Sequence, residues 1–444
     1  MSDSRFPLDR DVVGRIIRDQ RVDMDRVNIR EMAKIVKAVE GELDVRFIRM
    51  EIGIPGLPLN DLAPRAEAEI FAEGKGNEYA PFEGTDRLRA AASRFVKMFL
   101  NLDVPAQHCI ATNGAMQGGF VAQAVAGGLY PDRKTILYID PSFPVNRLQA
   151  RFLGLDVDSV DLSDYRGDAL VAAIEKRFRK GDVGGLLWST PNNPSWVVLT
   201  DGEMKGIARL LDEHDVIGIE DLAYICMDFR KDYGKPGAPP YPPCVGHFGR
   251  NYIMLLSGSK AFSYAGQRIG VAVISPALAE RRYDHLVGRF GTDRVGEAFT
   301  KGGVYPMTAG VAQSSQNGLA ALMEKACDGE YDFVAQVKEY ATRAKHMKKS
   351  MLSNGFSLVY DNDLGEPLAD GFYFTVRYNG YTAGRLLQEM LLYGLSAIPL
   401  SVAGSKSKDG IRVCVSKTGL DLMDEFDERI RRFKEDHSVA PASR

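Results

Sequence analysis

Cysteine is scarce in this chain. Five residues in 444 (Cys109, Cys226, Cys244, Cys327 and Cys414) are odd in number and scattered. None has metal-type spacing, so neither a disulfide framework nor a metal module is indicated, and a reduced, cytoplasmic setting is expected. Charge of either sign is not in excess: the net value is −3, which leaves no electrostatic footprint for nucleic acid. Long hydrophobic runs are missing. The stretch "FVAQAVAGGLY" (Phe120–Tyr130) is well short of the roughly 20 residues that cross a bilayer. The opening "MSDSRFPLDRDVVGR" is charged throughout, unlike a secretory leader. There is no internal repeat, and the one biased segment, "KPGAPPYPP" (Lys235–Pro243), reads as a local loop.

What is present is a chain that is 45% hydrophobic, enough for a large core and two or more lobes. Short apolar runs alternate with helical patterns through its middle: "CIAT" (Cys109–Thr112), "TILYID" (Thr135–Asp140), "GGLLWST" (Gly184–Thr190), "VIGIED" (Val216–Asp221), "YIMLLS" (Tyr252–Ser257) and "GVAVIS" (Gly270–Ser275). Runs of this kind suit strands buried on both faces, and the alternation predicts an α/β domain with a mostly parallel sheet. Several end in small or polar residues, and ligands of open α/β sheets bind at strand carboxyl ends. Beyond Tyr305 the spacing of Phe333, Val334, Val337, Tyr340, Ala344, Met347 and Met351 predicts a long helix. The runs "FSLVY", "GFYFTVRY" and "GIRVCVS" then predict strands, followed by a helix over Asp421–Phe433. A second, smaller α+β domain is expected there.

The residues with chemistry concentrate at those strand ends. In "SGSKAFSYAGQRIG", Lys260 stands between hydroxyls and Arg268 between Gly266 and Gly270. Ser257, Ser259 and Arg268 are good phosphate ligands, and a lysine there is either a point charge or a Schiff-base former; a loop of surface charges is the plain alternative. Asp221 ends an apolar run with Tyr224 three residues on. It either faces a cationic ring nitrogen or caps the next helix. "TNGAMQGGF" offers Gly114, Ala115 and Met116 as an anion-binding helix start. Phe143, between two prolines, can stack on an aromatic cofactor or simply pack in the core. Asn193 in "STPNNPSW" can present an amide to a phenolic oxygen or only make a turn. Arg412, entering an apolar strand, needs an anion: a substrate carboxylate or a structural partner.

Taken in order, these residues resemble the class I/II aminotransferases, a family of fold-type-I pyridoxal-phosphate enzymes. The lysine signature S-x-S-K, five residues, G-x-R-x-G matches Ser257 to Gly270, and D-x-x-Y matches Asp221 and Tyr224. The resemblance implies a large domain (residues 53–330) built on a mostly parallel seven-stranded sheet between helices. Residues 1–52 with 331–444 would form the small α+β domain and N-terminal arm. It implies pyridoxal 5'-phosphate held as a Schiff base by Lys260, with Asp221 at the ring nitrogen and Tyr224 and Asn193 at the phenolic oxygen. Phe143 would stack on the ring, and Gly114, Ala115, Met116, Ser257, Ser259 and Arg268 would hold the phosphate. "EYAPFEGTDRLR" is similar to a family stretch whose tyrosine reaches the phosphate of the neighbouring subunit, so Tyr79 implies a homodimer. Arg412 falls on the carboxylate-binding arginine, and Gly53, in "MEIGIPGLP", on a strand covering the substrate.

The activity implied is amino transfer between an α-amino acid and a 2-oxo acid, with no metal, nucleic acid or membrane. A β-lyase (C–S lyase) or decarboxylase on the same scaffold is the alternative outcome. A remoter one is an S-x-x-K serine acyl enzyme using Ser257–Lys260, Tyr360–Asn362 and Lys417–Gly419. It would need Ser257 to open a helix and Lys417–Gly419 to lie on a strand. The chain departs from the family at Trp196, which replaces the glycine of N-P-T-G. The resemblance extends over roughly residues 28–433.

Overall fold

Residues 6–437 are described by the computed structural model, and residues 1–5 and 438–444 of the expected domains lie outside the described residues. The chain packs as two units. The larger comprises Leu57–Asn192 and Val198–Val337. The smaller takes the described parts of Met1–Gly56 and Lys338–Arg444, together with Asn193–Val197. That short segment lies inside the 53–330 range assigned to the large domain from sequence.

In the larger unit, strands β1 (Cys109–Thr112), β2 (Thr135–Asp140), β3 (Asp156–Asp161), β4 (Val183–Ser189), β5 (Ile217–Leu222), β6 (Tyr252–Ser257) and β7 (Gly270–Ile274) make one sheet. Their order is β1-β7-β6-β5-β4-β2-β3. Only the two pairings of β7 are antiparallel. Six of the seven are the apolar runs read from sequence. The seventh, β3, has the sequence DVDSVD and forms the sheet edge, where its first four residues keep some exposure. An edge strand needs no apolar run, so hydrophobicity does not announce it.

The inner strands β2, β4 and β6 are buried at every position. Their side chains Ile136, Leu187 and Ile253 join Val121 and Val125 of the helix Gly114–Ala126 in one core, each such burial contributing about 1.5–3 kcal/mol. Because β7 alone is reversed, β1, β2, β4, β5 and β6 all end at the same edge of the sheet. The helix Asp201–His214 starts on a reciprocal capping box between Thr200 and Glu203, which fixes where that helix begins after β4.

In the smaller unit, β8 (Phe356–Leu358), β9 (Tyr373–Tyr378), β10 (Ile398–Pro399) and β11 (Ile411–Cys414) form an antiparallel sheet ordered β10-β11-β9-β8. Helices Arg10–Asp19, Ile29–Leu43, Ala383–Leu391 and Met423–His437 belong to the same unit. The single helix expected over 333–351 is two helices, Phe333–Val337 and Glu339–Ser353. Lys338 keeps helical dihedrals, but Ala341 N–H bonds back three residues to Lys338 O instead of four, so the ladder is interrupted while the hydrophobic spacing continues. Among the described residues, no helix is long and apolar enough to cross a membrane, and no acidic, histidine or cysteine cluster could hold a metal.

Candidate active site

The end of β6 and the start of β7 hold the lysine signature. Gly270 pairs with Ser257 on one side and with Thr112, the last residue of β1, on the other. A Cβ at Gly270 would come within 2.6 Å of Leu256 O, 2.9 Å of Ala115 N and 3.0 Å of Gly114 C, all main-chain atoms. Only glycine lets the Gly114–Ala115 turn approach so closely. Gly114 itself has φ +70°, and a Cβ there would lie 2.9 Å from Arg268 Nη2. The helix that begins at Gly114 has no side-chain cap, so its first-turn N–H groups, at Gly114, Ala115 and Met116, are left for another acceptor. Arg268 donates to Ala265 O at 3.0 Å and meets Ser259 Oγ at 3.5 Å. Ser257 Oγ accepts the Ser259 N–H at 3.2 Å. A guanidinium, two hydroxyls and a helix start therefore converge on one spot, the chemistry of an anion site.

Lys260 follows in a closed turn. Gly258 bonds through its N–H to Ile269 O and through its O to Tyr264 N–H, and Lys260 O accepts from Ser263 N–H. On the neighbouring strand β5, Asp221 lies in register with Leu255 of β6. Its carboxylate is part-buried but closely surrounded. Burial pushes it up to about 6, opposed by the Ala223 N–H and by the positive charge of Lys260. The two groups are thus within electrostatic reach. No helix follows Asp221; its Oδ1 closes a turn at Ala223, which removes the helix-cap alternative. Tyr224 is buried two residues past the strand. Phe143 is half-buried, immediately before the helix Pro144–Phe152. Tyr79 is 94% exposed and bonds to no described residue.

Gly53, Asn193 and Arg412 belong to the smaller unit. Asn193 is buried there. Arg412, on β11, is 3% exposed. Its Nη2 donates to Glu51 O, its Nε has no partner, and its guanidinium lies 4.8 Å over the Tyr373 ring. Among the described residues no carboxylate pairs with it. The nearby Glu51 carboxylate is engaged by Arg49 at 2.6 Å and Ser396 Oγ at 2.5 Å. The structural ion pair left open from sequence is therefore absent there, and a buried guanidinium without a counter-anion is costly. A Cβ on Gly53 would overlap the Tyr373 hydroxyl, so Gly53 and Arg412 meet at the same tyrosine.

Sequence reasoning missed Tyr373. Its position two residues from Thr375, the Cα partner of Arg412, is a same-face diagonal that becomes readable only once strand register is known. It also missed Glu220, a fully buried carboxyl on the opposite face of β5 from Asp221. The S-x-x-K serine scheme is overturned: Ser257 closes a strand instead of opening a helix, and Lys417–Gly419 lies past the end of β11, on no strand.

Comparison with solved structures defines the class of fold first. The chain superposes on an aspartate aminotransferase double mutant from Thermus thermophilus with a TM-score of 0.73, covering 94% of this chain and 98% of that one at 17% identity. A protein from Pyrococcus gives 0.74, covering 96% and 100% at 20% identity. At such identities the likeness establishes a shared fold. The sequence then settles the family. The description of aminotransferase class I and II matches residues 50–430, and the chain belongs to that family. Its members use pyridoxal phosphate. A histidinol-phosphate aminotransferase from Chlorobium limicola is 33% identical over 148 residues, 33% of this chain and 37% of that protein. An LL-diaminopimelate aminotransferase from Nostoc is 27% identical over 256 residues, 56% of this chain and 60% of that protein. The matched region thus spans between about a third and three fifths of these curated relatives.

Proposed function

We propose that the chain is a pyridoxal-phosphate-dependent aminotransferase that moves an amino group between an α-amino acid and a 2-oxo acid. The observation that carries this reading is the convergence of Lys260, Asp221 and the anion site of Ser257, Ser259, Arg268 and the Gly114 turn at one end of one sheet. Those residues fit the cofactor. The glycine-lined cradle matches a phosphate, and the part-buried Asp221, pushed up by burial, is relieved by a cationic N–H.

When bound, pyridoxal phosphate supplies the conjugated ring that takes up the electrons of the broken Cα–H bond. Lys260 is the residue that would tether the aldehyde, and its amine would serve as the base that holds and moves the Cα proton. Asp221 keeps the ring nitrogen protonated. Tyr224 and Asn193 would offer hydrogen bonds to the phenolic oxygen, and Phe143 would face the ring. Arg412 takes the α-carboxylate bidentately, and Gly53 leaves room for it. The counter-anion that Arg412 lacks among the described residues supports an anionic substrate. A homodimer with Tyr79 reaching the partner's phosphate is part of the same reading, supported by the exposure of that ring. A cytoplasmic location is supported by five buried cysteines in the thiol form.

The test is a panel of L-amino acids given to the purified, cofactor-loaded protein with 2-oxoglutarate. Keto acid matched by glutamate supports amino transfer; release of thiol or carbon dioxide instead identifies a lyase or decarboxylase.

A further inference from the structure

Trp196 stands where the family has glycine, and its surroundings within the smaller unit give it a job. Its backbone holds φ +63° and its side chain is fully buried. A bulky residue takes left-handed dihedrals only where the surroundings fix it. The indole abuts Gly371, where an added Cβ would overlap Cε2, Cζ2 and Nε1. It meets the Tyr373 ring edge-on, with centroids 6.1 Å apart and planes at 64°. Tyr373 in turn carries the Arg412 guanidinium 4.8 Å over its face, and its hydroxyl ends against Gly53. Indole, phenol and guanidinium thus form one continuous run of contacts that ends on a buried cation lacking a carboxylate partner among the described residues.

We infer that Trp196 is a positioning residue that, through Tyr373, fixes the plane of the Arg412 guanidinium and so sets how strongly this chain prefers α-carboxylate substrates over plain amines. The inference rests on the proposed function, in which Arg412 is the carboxylate ligand. Its mechanism is geometric. A bidentate guanidinium–carboxylate pair needs the two planes aligned. A tyrosine that loses the indole against its ring holds the cation above its face less firmly.

The experiment compares matched pairs that differ only in the carboxylate: L-phenylalanine with 2-phenylethylamine, L-alanine with ethylamine, and L-glutamate with 4-aminobutyrate. Each is titrated into the cofactor-loaded protein and followed by the change in its visible absorbance, with turnover measured alongside. For Trp196→Gly, the apparent dissociation constant of the amino acid is expected to rise roughly 10-fold. The matching amine is expected to be unchanged, and turnover at saturation to move little. Trp196→Phe, which keeps a flat ring, should recover most of the affinity. Trp196→Gly added to Tyr373→Ala should cost nothing further, since the indole acts only through the phenol. Gly371→Ala displaces the indole from outside and should reproduce the effect if Trp196→Gly does not fold. Equal weakening of acid and amine, or no weakening in either variant, overturns the role of Trp196 while leaving the functional reading intact. A wild-type protein that carries its chromophore on Lys260 yet responds to no amino acid overturns both.

Discussion

Glu220 gives the sharpest test of the energetics. It is fully buried on β5, beside Trp188 in register, with Oε2 accepting the Val245 N–H at 3.0 Å and Oε1 without a partner. Burial pushes its carboxyl from the ordinary 4.5 up to about 8. The sign follows from which state binds the proton. Between pH 4.5 and about 8 the unfolded chain loses this proton while the folded chain keeps it, so stability is present below 4.5 and is lost as pH rises through that window. The gap of about 3.5 between 4.5 and 8, at about 1.4 kcal/mol per unit of pKa, converts to about 5 kcal/mol as an upper bound. Glu220→Gln keeps the shape and the acceptor for Val245 but cannot ionise. Thermal unfolding of the loaded protein should therefore show variant and wild type melting together near pH 5. Near pH 8.5 the variant should melt higher by up to about 5 °C, taking ~2.1 cal/mol/K per residue for the unfolding entropy. A difference that does not change with pH, or a variant that becomes relatively less stable as pH rises, would refute the reasoning.

Three further outcomes follow from the same structure. Gly270→Ala pushes a methyl into main-chain atoms of Leu256, Gly114 and Ala115, so pyridoxal phosphate affinity, measured by equilibrium dialysis, should fall roughly 5- to 150-fold, in line with 1–3 kcal/mol for overpacking. Asp221 must be ionised to hold a cationic ring nitrogen, and it gains its proton below about 6. Cofactor affinity should therefore drop between pH 7 and pH 5 in the wild type, and by clearly less in Asp221→Asn. Arg412→Ala removes a charge-assisted bidentate contact worth about 1.5–3 kcal/mol. It should raise KM for the amino acid by roughly 10- to 100-fold; an unchanged KM would reassign the carboxylate ligand.

Much of this was legible from the chain alone, for identifiable reasons. Strands buried on both faces must be apolar along their length, so six of the seven in the large sheet announce themselves, and their polar ends mark the ligand-binding edge. The lysine signature is readable because several of its fixed positions have a local job: Gly270 admits the Gly114 turn, and Arg268 and the serines lie together beside it. The edge strand Asp156–Asp161 was hidden because its first four residues keep some exposure and need not be apolar. The break at Lys338 was hidden because it changes hydrogen-bond step without changing hydrophobic spacing. The Trp196–Tyr373–Arg412 run of contacts was hidden because it joins residues far apart in sequence through strand register. Trp196 was visible as an exception to the family pattern, but what it touches was not.

The central claim is that Lys260 is the cofactor's tether, and one measurement addresses it directly. The loaded protein is reduced with borohydride, digested, and its peptides are weighed. The account predicts a pyridoxyl group on Lys260 and on no other lysine, lost from that peptide when a productive amino acid is added before the reductant. Label on a different lysine, or a cofactor that washes away unreduced, would contradict it.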